Sequence, residues 1–320
     1  MSWLVTGGAG YIGSHVVRSL AEVSMEPIVV DSMSSGVRGF VPQDVPFYSV
    51  NILNSEKLTD IMKRHQVRGV IHLAGYKYAG ESVKNPLLTF EQNVTGTANL
   101  LQAMADARVE NIVFSSSAAV YGTPSVDLVT EETGTFPESP YGQSKLIGEW
   151  LIRDQAVATG LKHTSLRYFN VVGSGSEELF DASPHNLFPL VFKALNEGKA
   201  PKIFGTDYDT ADGTCVRDYV HVADLALAHV EAAKKLEAGT ELEPVYNLGS
   251  GDGVSVREIM DAVAKVTGVQ FTAIQEARRP GDPARIVADG QLAARDLGWQ
   301  MRHTLEEMVD SAYRASQSRV

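Results

Sequence analysis

The sequence holds a single cysteine, Cys215, in 320 residues, so no disulfide can form within the chain and no cysteine-based zinc site can be assembled. Cys215 itself reads as core packing rather than as a reactive thiol. Its eight histidines are scattered without ligand spacing, so no metal is expected. No stretch approaches the roughly 18 uninterrupted apolar residues of a membrane helix. No basic segment or signal-type apolar run precedes Trp3-Leu4-Val5, and the expected location is the cytoplasm. Positive charge is scarce too: 28 Lys and Arg against 39 Asp and Glu leave a net charge of −11. A surface of that sign repels phosphate backbones and anionic membranes, so neither nucleic acid nor membrane is an expected partner. A phosphorylated metabolite would need local cations, which draws attention to Arg and Lys in glycine-flanked loops.

What is present points to an α/β protein. Short runs rich in Val and Ile (Leu4-Val5, Ile28 to Val30, Phe47 to Val50, Val70 to Leu73, Ile112 to Phe114, Ser165 to Tyr168) alternate with helical stretches such as Leu87 to Ala107 and Leu146 to Thr159. Strands alternating with helices predict a doubly wound parallel sheet with right-handed crossovers. Beyond about residue 170 the pattern changes. Val172 to Pro184 reads as a surface loop, Val245 to Leu248 as a strand, Val256 to Val266 and Leu305 to Tyr313 as helices, and Arg278 to Pro283 as a turn. No linker separates two domains, so a smaller C-terminal lobe is expected to pack directly on the first, with interleaved segments.

The first run leads into Gly7-Gly8-Ala9-Gly10-Tyr11-Ile12-Gly13. Glycines at 7, 10 and 13 permit a tight turn and close backbone approach, and the following helix aims its first N–H groups at a pyrophosphate. Asp31 ends the second run, where a carboxylate accepts bonds from both ribose hydroxyls and repels a 2′-phosphate, favouring NAD over NADP. A plain connection and an ordinary strand-end turn former are the alternative readings.

Ser115-Ser116-Ser117 ends the fifth run, and Tyr141 stands four residues before Lys145, one helical turn away on the same face. Of the eleven tyrosines only Tyr141 has a lysine at that spacing. Taking hydride from a carbinol carbon requires a base for its hydroxyl proton, and a phenolate can serve. A phenol with a reference pKa near 10 must fall about three units, or roughly 4 kcal/mol, to act at neutral pH. An ammonium about 5 Å away at an effective dielectric of about 20 supplies roughly 3 kcal/mol of that. Ser117 can donate or relay a hydrogen bond to the same oxygen. The other reading is a buried Tyr beside a solvated Lys.

Longer stretches carry a resemblance. Ser115 to Gly122, Ser139-Pro140-Tyr141-Gly142-Gln143-Ser144-Lys145, Arg167-Tyr168-Phe169-Asn170, Gly213 to Val222 and Tyr246-Asn247-Leu248-Gly249 resemble the UDP-glucose 4-epimerases of the extended short-chain dehydrogenase/reductase family, over nearly the whole chain. Related sugar dehydratases carry an Asp-Glu pair after the strand-five Ser/Thr, where this chain has Ser and Ala. The resemblance implies a Rossmann-type domain over residues 1–170, receiving later segments from about 210–250, and a lobe over 171–320 that mainly holds a UDP-sugar. It implies a homodimer and a retained NAD. For that cofactor it adds Ser32, Met33, Ser34, Ser35, Gly36, Asn51, Ile52, Leu73, Ala74, Gly75, Lys77, Asn93, Ser115, Tyr168 and Phe169 to the turn residues, Asp31, Tyr141 and Lys145. For the UDP-sugar it implies Lys77, Ser117, Tyr141, Asn170, Asn186, Leu187, Phe204, Arg217, Arg279 and Asp282.

Alternatives stay beside these: Lys77 as a solvated lysine, Arg217 and Arg279 in structural salt bridges, Tyr168 and Phe169 as core. Three positions depart from the family pattern: Asn51 where Asp is usual, His185 where a second Asn is common, and Ile286 where members with a narrow sugar site have Tyr. The implied reaction inverts C4 of a UDP-hexose through a 4-keto sugar. A pentose, uronate or N-acetylhexosamine epimerase and a non-catalytic NAD sensor are the other readings.

Overall fold

The protein is described here by a computed structural model covering residues 1–279 and 282–318. Pro280 and Gly281, inside the expected Arg278–Pro283 turn, lie outside the described residues. In chain order the strands are β1 (Ser2–Thr6), β2 (Glu26–Asp31), β3 (Phe47–Ser49), β4 (Gly69–His72), β5 (Asn111–Ser115), β6 (Lys162–Tyr168), β7 (Asn170–Val172), β8 (Lys202–Phe204), β9 (Val216–Arg217), β10 (Tyr219–His221), β11 (Val245–Leu248), β12 (Val254–Ser255), β13 (Ile274–Glu276) and β14 (Arg285–Ile286). The helices are α1 (Tyr11–Glu22), α2 (Ser55–Arg64), α3 (Ala79–Lys84), α4 (Pro86–Phe90), α5 (Gly96–Ala107), α6 (Pro140–Thr159), α7 (Leu187–Asn196), α8 (Val222–Glu237), α9 (Val256–Thr267), α10 (Gln291–Leu297) and α11 (Leu305–Gln317).

Seven strands pair in the order β11-β6-β5-β4-β1-β2-β3, every pairing parallel. Side chains alternate across this sheet, as the period of two requires. Trp3, Val5, Val29, Ile71 and Val113 face α1 and α8, whereas Leu4, Ile28, Val30, Val70 and Ile112 face α2, α5 and α6. Both faces are buried, which is why these strands read as continuous apolar runs. A third cluster packs α7, α9 and α11 together through Phe188, Phe192, Ile259, Val263, Met308 and Val309. Reciprocal capping boxes, Ser255 with Glu258 and Thr304 with Glu307, start α9 and α11.

Two features position the site. The chain turns one way from β1 into β2 and the other way from β4 into β5, so neighbouring β1 and β4 form a switch point with a crevice at their carboxyl ends. The single helix expected over Leu87 to Ala107 is instead α4 and α5 joined by a π turn, Glu91–Thr95. Val50 and Leu73 lie just past their strands, and α6 begins six residues before Leu146, at Pro140, because Ser139 caps it by accepting the Gly142 N–H at 3.2 Å. Among the described residues no helix is long and apolar enough to cross a membrane.

Candidate active site

A cavity of about 1550 Å³ runs from the switch point to α7 and α11. Its floor carries Gly7, Gly10, Tyr11, Ile12 and Gly13. Gly7 has φ +74°, and a Cβ there would lie 2.8 Å from the Ala74 nitrogen; one on Gly13 would meet the Gly7 carbonyl at 2.1 Å. Only glycine lets the turn close on itself and on the β4 loop. Gly10 caps α1 with no side-chain bond, leaving the first-turn N–H groups for an anion.

Asp31 is buried, accepting from Ala9 N–H at 3.0 Å and Met33 N–H at 2.8 Å. Burial pushes its pKa up, and these N–H bonds and Lys77 pull it back. Each oxygen accepts one of these bonds and keeps further acceptor capacity, and Asp31 lines the cavity, as binding of a ribose diol requires. Ser32, Ser34, Ser35, Gly36, Asn51, Ile52, Leu73, Ala74, Gly75 and Lys77 complete this wall. Asn51 is partly engaged, its side-chain oxygen accepting from Leu53 N–H at 2.9 Å. The floor and wall fit a dinucleotide.

Ser117, Tyr141, Lys145, Tyr168, Phe169 and Asn170 line the same cavity. Ser117 lies close enough to the Tyr141 hydroxyl to lower its pKa, and its own Oγ accepts the Ala119 N–H at 3.2 Å. Lys145 Nζ sits 5.9 Å from the Tyr141 ring centroid, 4.9 Å from that of Phe114, and donates to the Ser115 carbonyl at 2.8 Å. Burial pushes the ammonium down to about 8, opposed by Glu149. Burial also pushes the Tyr141 phenol up, and Ser117 opposes it. An oxidised nicotinamide bound in the cavity would add a further positive charge near the phenol.

Behind Lys145, Glu149 repeats the four-residue spacing along α6. It is held by Arg167 at 2.6 and 2.9 Å and by the Ser116 hydroxyl, all buried. Arg167 in turn donates to the Tyr121 hydroxyl at 2.9 Å, which donates to Asn247 at 2.7 Å. This network is not legible in the sequence because its members are scattered, Tyr121 and Asn247 alone lying 126 residues apart.

At the other end lie Asn186, Leu187, Phe204, Arg217 and Arg279. Arg217 Nη1 donates to the Val216 and Pro283 carbonyls at 2.9 and 2.8 Å, while its buried Nη2 makes no hydrogen bond among the described residues. Asp282 Oδ1 lies 3.6 Å from that nitrogen. Arg279 lies over the Phe204 ring at 5.2 Å and donates to Asp282 at 2.8 Å. Two guanidiniums thus share one carboxylate, leaving a net positive charge at this end of the cavity. Asn170 and Asn186 are partly used, donating to the Asp218 carbonyl at 3.1 Å and to Asp181 at 2.6 Å.

Four expected residues stand behind the cavity wall instead of on it. Met33 packs on the sheet core and offers its N–H to Asp31. Both amide hydrogens of Asn93 go to the Tyr76 carbonyl and Ser144, and its oxygen accepts from Tyr76 N–H at 2.6 Å, so it fixes the β4 loop. Ser115 shares a 2.6 Å bond with buried His229. Asp282 bridges the two arginines. Conversely, Tyr78, which belongs to none of the expected sets, lines the cavity, together with Tyr76 of the β4 loop and His185. Cys215 is buried, its thiol pKa raised by desolvation.

The sequence profile of the NAD dependent epimerase/dehydratase family matches residues 3–249. The chain belongs to that family. Within it, a UDP-glucose 4-epimerase of Lactobacillus helveticus is 41% identical over 98% of this chain and 96% of its own length. A crystal structure of a UDP-glucose 4-epimerase superposes with a TM-score of 0.96 at 38% identity, covering 100% of this chain and 98% of the other. That of the Bifidobacterium longum UDP-glucose 4-epimerase, solved with NAD+ and UDP, gives 0.91 at 37% identity, covering 99% and 98%.

Proposed function

We propose that the chain is an NAD-dependent epimerase that inverts C4 of a UDP-hexose, interconverting UDP-galactose and UDP-glucose through a 4-keto sugar. One observation carries the reading: Tyr141, Ser117 and Lys145 line the same cavity as the glycine turn at one end and the Arg217 and Arg279 guanidiniums at the other. Full-length relatives about 40% identical carry that name.

NAD held by the glycine turn and Asp31 would supply the oxidant and reductant for C4. The remaining work falls to this chain. Tyr141 takes the C4 hydroxyl proton and later returns it, Ser117 holds the same oxygen, and Lys145 keeps a positive charge beside both. Arg217 and Arg279 hold the diphosphate, with Asn170, Asn186, Leu187 and Phe204 around the nucleoside and Asp282 orienting the arginines. An anchor placed on the diphosphate leaves the hexose free to present its other face. Asp31 and the glycine turn hold the dinucleotide throughout, with Lys77 between the two ligands.

The test is incubation of purified protein with UDP-galactose and no added cofactor. Appearance of UDP-glucose supports the reading; a protein that carries NAD and forms no UDP-glucose ends it. Ile286 packs with Val120, Tyr121 and Phe169 and does not line the cavity, which favours a broader sugar site. UDP-N-acetylglucosamine should therefore turn over, and a rate roughly a thousandfold below that of UDP-galactose would remove this extension.

A homodimer in the cytoplasm completes the proposal. Exposed Leu87 and Leu88 of α4 lie beside α6, which exposes Trp150 and Val157, and a second copy of the same face is the occupant that matches it.

A further inference from the structure

The two rings that the reaction above leaves without a role meet across the cavity. Tyr78 is the residue before α3, and His185 stands one residue before Asn186, the cap of α7. Their rings meet edge-on, with centroids 5.0 Å apart and planes at 69°. Both line the cavity, one from the β4 loop and the other from the segment ahead of α7. On its far side Tyr78 meets Tyr76 edge-on at 5.9 Å, and Lys77 Nζ lies 5.5 Å from its ring.

Each end of this bridge is rooted. Asn93 fixes both backbone groups of Tyr76, and the α3 hydroxyl of Ser82 accepts the Tyr141 N–H at 3.1 Å, so the Tyr78 end is tied to the helix carrying the reactive phenol. At the other end Asp181 accepts from Ser183 N–H at 2.9 Å and from the Asn186 side chain at 2.6 Å. The bridge therefore joins the wall bearing the base to the segment expected to hold the nucleotide. Tyr78 is half-buried and His185 exposed, so a single edge contact between them can part to admit a ligand and re-form.

We infer that Tyr78 and His185 are positioning residues that close over the hexosyl group and retain the 4-keto sugar between the two halves of the reaction. The inference rests on the epimerase reading. A sugar that must present both faces to one oxidant cannot be gripped by its ring hydroxyls, so its site must be roomy, and a roomy site leaks. A contact between two rings on separate loops confines the ketone without holding it. If the ketone leaves, the proton removed from the C4 hydroxyl stays on Tyr141 and the two electrons stay on the nicotinamide, so the enzyme is left reduced and the cycle stops.

The experiment follows the holoenzyme during turnover of UDP-galactose, reading the near-ultraviolet absorbance of reduced nicotinamide and the UDP-4-ketohexose in an ultrafiltrate. Tyr78→Ala and His185→Ala should each build up reduced enzyme about five- to tenfold faster per turnover than the unaltered protein, in line with the strength of one aromatic contact. The double variant should be no worse than the worse single one, since both remove the same contact. Tyr78→Phe keeps the ring and should behave as the unaltered protein. Calorimetric affinity for UDP alone should stay within about twofold in all four, because UDP lacks the sugar that the bridge confines. Equal build-up of reduced enzyme in both alanine variants and the unaltered protein, or single effects that multiply in the double variant, would overturn the inference. An unaltered protein that makes no UDP-glucose would remove the epimerase reading and this inference with it.

Discussion

At the scale of single residues, desolvation decides more than charge pairing. Tyr141 is raised and Lys145 lowered by the same burial, so each group is poised against its charged form. Tyr141→Phe removes the proton acceptor and leaves the ring in place. Turnover should fall by about 10² to 10⁴, the usual worth of acid–base catalysis, while the cofactor content of the purified protein, read by absorbance, stays unchanged. Lys145 makes a second prediction. Its folded pKa of about 8 lies below the reference 10.5, so between those values the unfolded chain binds the extra proton and stability rises with pH. The contribution is present above the unfolded value and lost as pH falls through about 8. In protein stripped of dinucleotide, Lys145→Met should abolish that part of the rise between pH 8 and 10.5, measured by urea unfolding against the unaltered chain. At neutral pH the same variant should be more stable by about 1–3 kcal/mol, having lost a buried charge, and inactive.

At the scale of elements, the informative departure is the π turn between α4 and α5. Leu87 to Ala107 reads as one amphipathic helix because its apolar spacing hardly changes across the turn, and spacing alone does not reveal one inserted residue. The insertion brings Asn93 inward, where its amide holds the Tyr76 backbone and Ser144. Asn93→Ala should lower stability by about 1 kcal/mol, since it leaves the half-buried Tyr76 backbone groups without their partner. It should also loosen the β4 loop, so that less dinucleotide survives gel filtration than in the unaltered protein. By contrast the β1 turn was fully legible: Gly7, Gly10 and Gly13 are local in sequence, and the contacts that demand glycine lie within or beside the turn itself.

At the scale of the whole molecule, a chain of net charge −11 concentrates two arginines around one carboxylate at the end of its cavity. The local field at this end is therefore positive, opposite in sign to that of the whole chain. The outer surface carries a different message. Leu87 is 83% and Val157 86% exposed on helices that adjoin, apolar side chains that a second copy would cover. Replacing Leu87 and Val157 together by Asp should shift the species seen in sedimentation from dimer to monomer with little change in far-ultraviolet circular dichroism. A monomer in both proteins would remove the homodimer.

The doubly wound sheet, the NAD cofactor and the placing of Tyr141 and Lys145 on one face of α6 could be read in the sequence, because each depends on spacing within single strands, turns or helices. Tertiary structure decided what depends on distant partners: the Glu149–Arg167 pair behind Lys145, the withdrawal of Asn93 and Ser115 from the cavity wall, and the meeting of Tyr78 with His185. It also decided the sign of the Tyr141 shift, since desolvation is set by everything packed around a group and not by its neighbours in the chain.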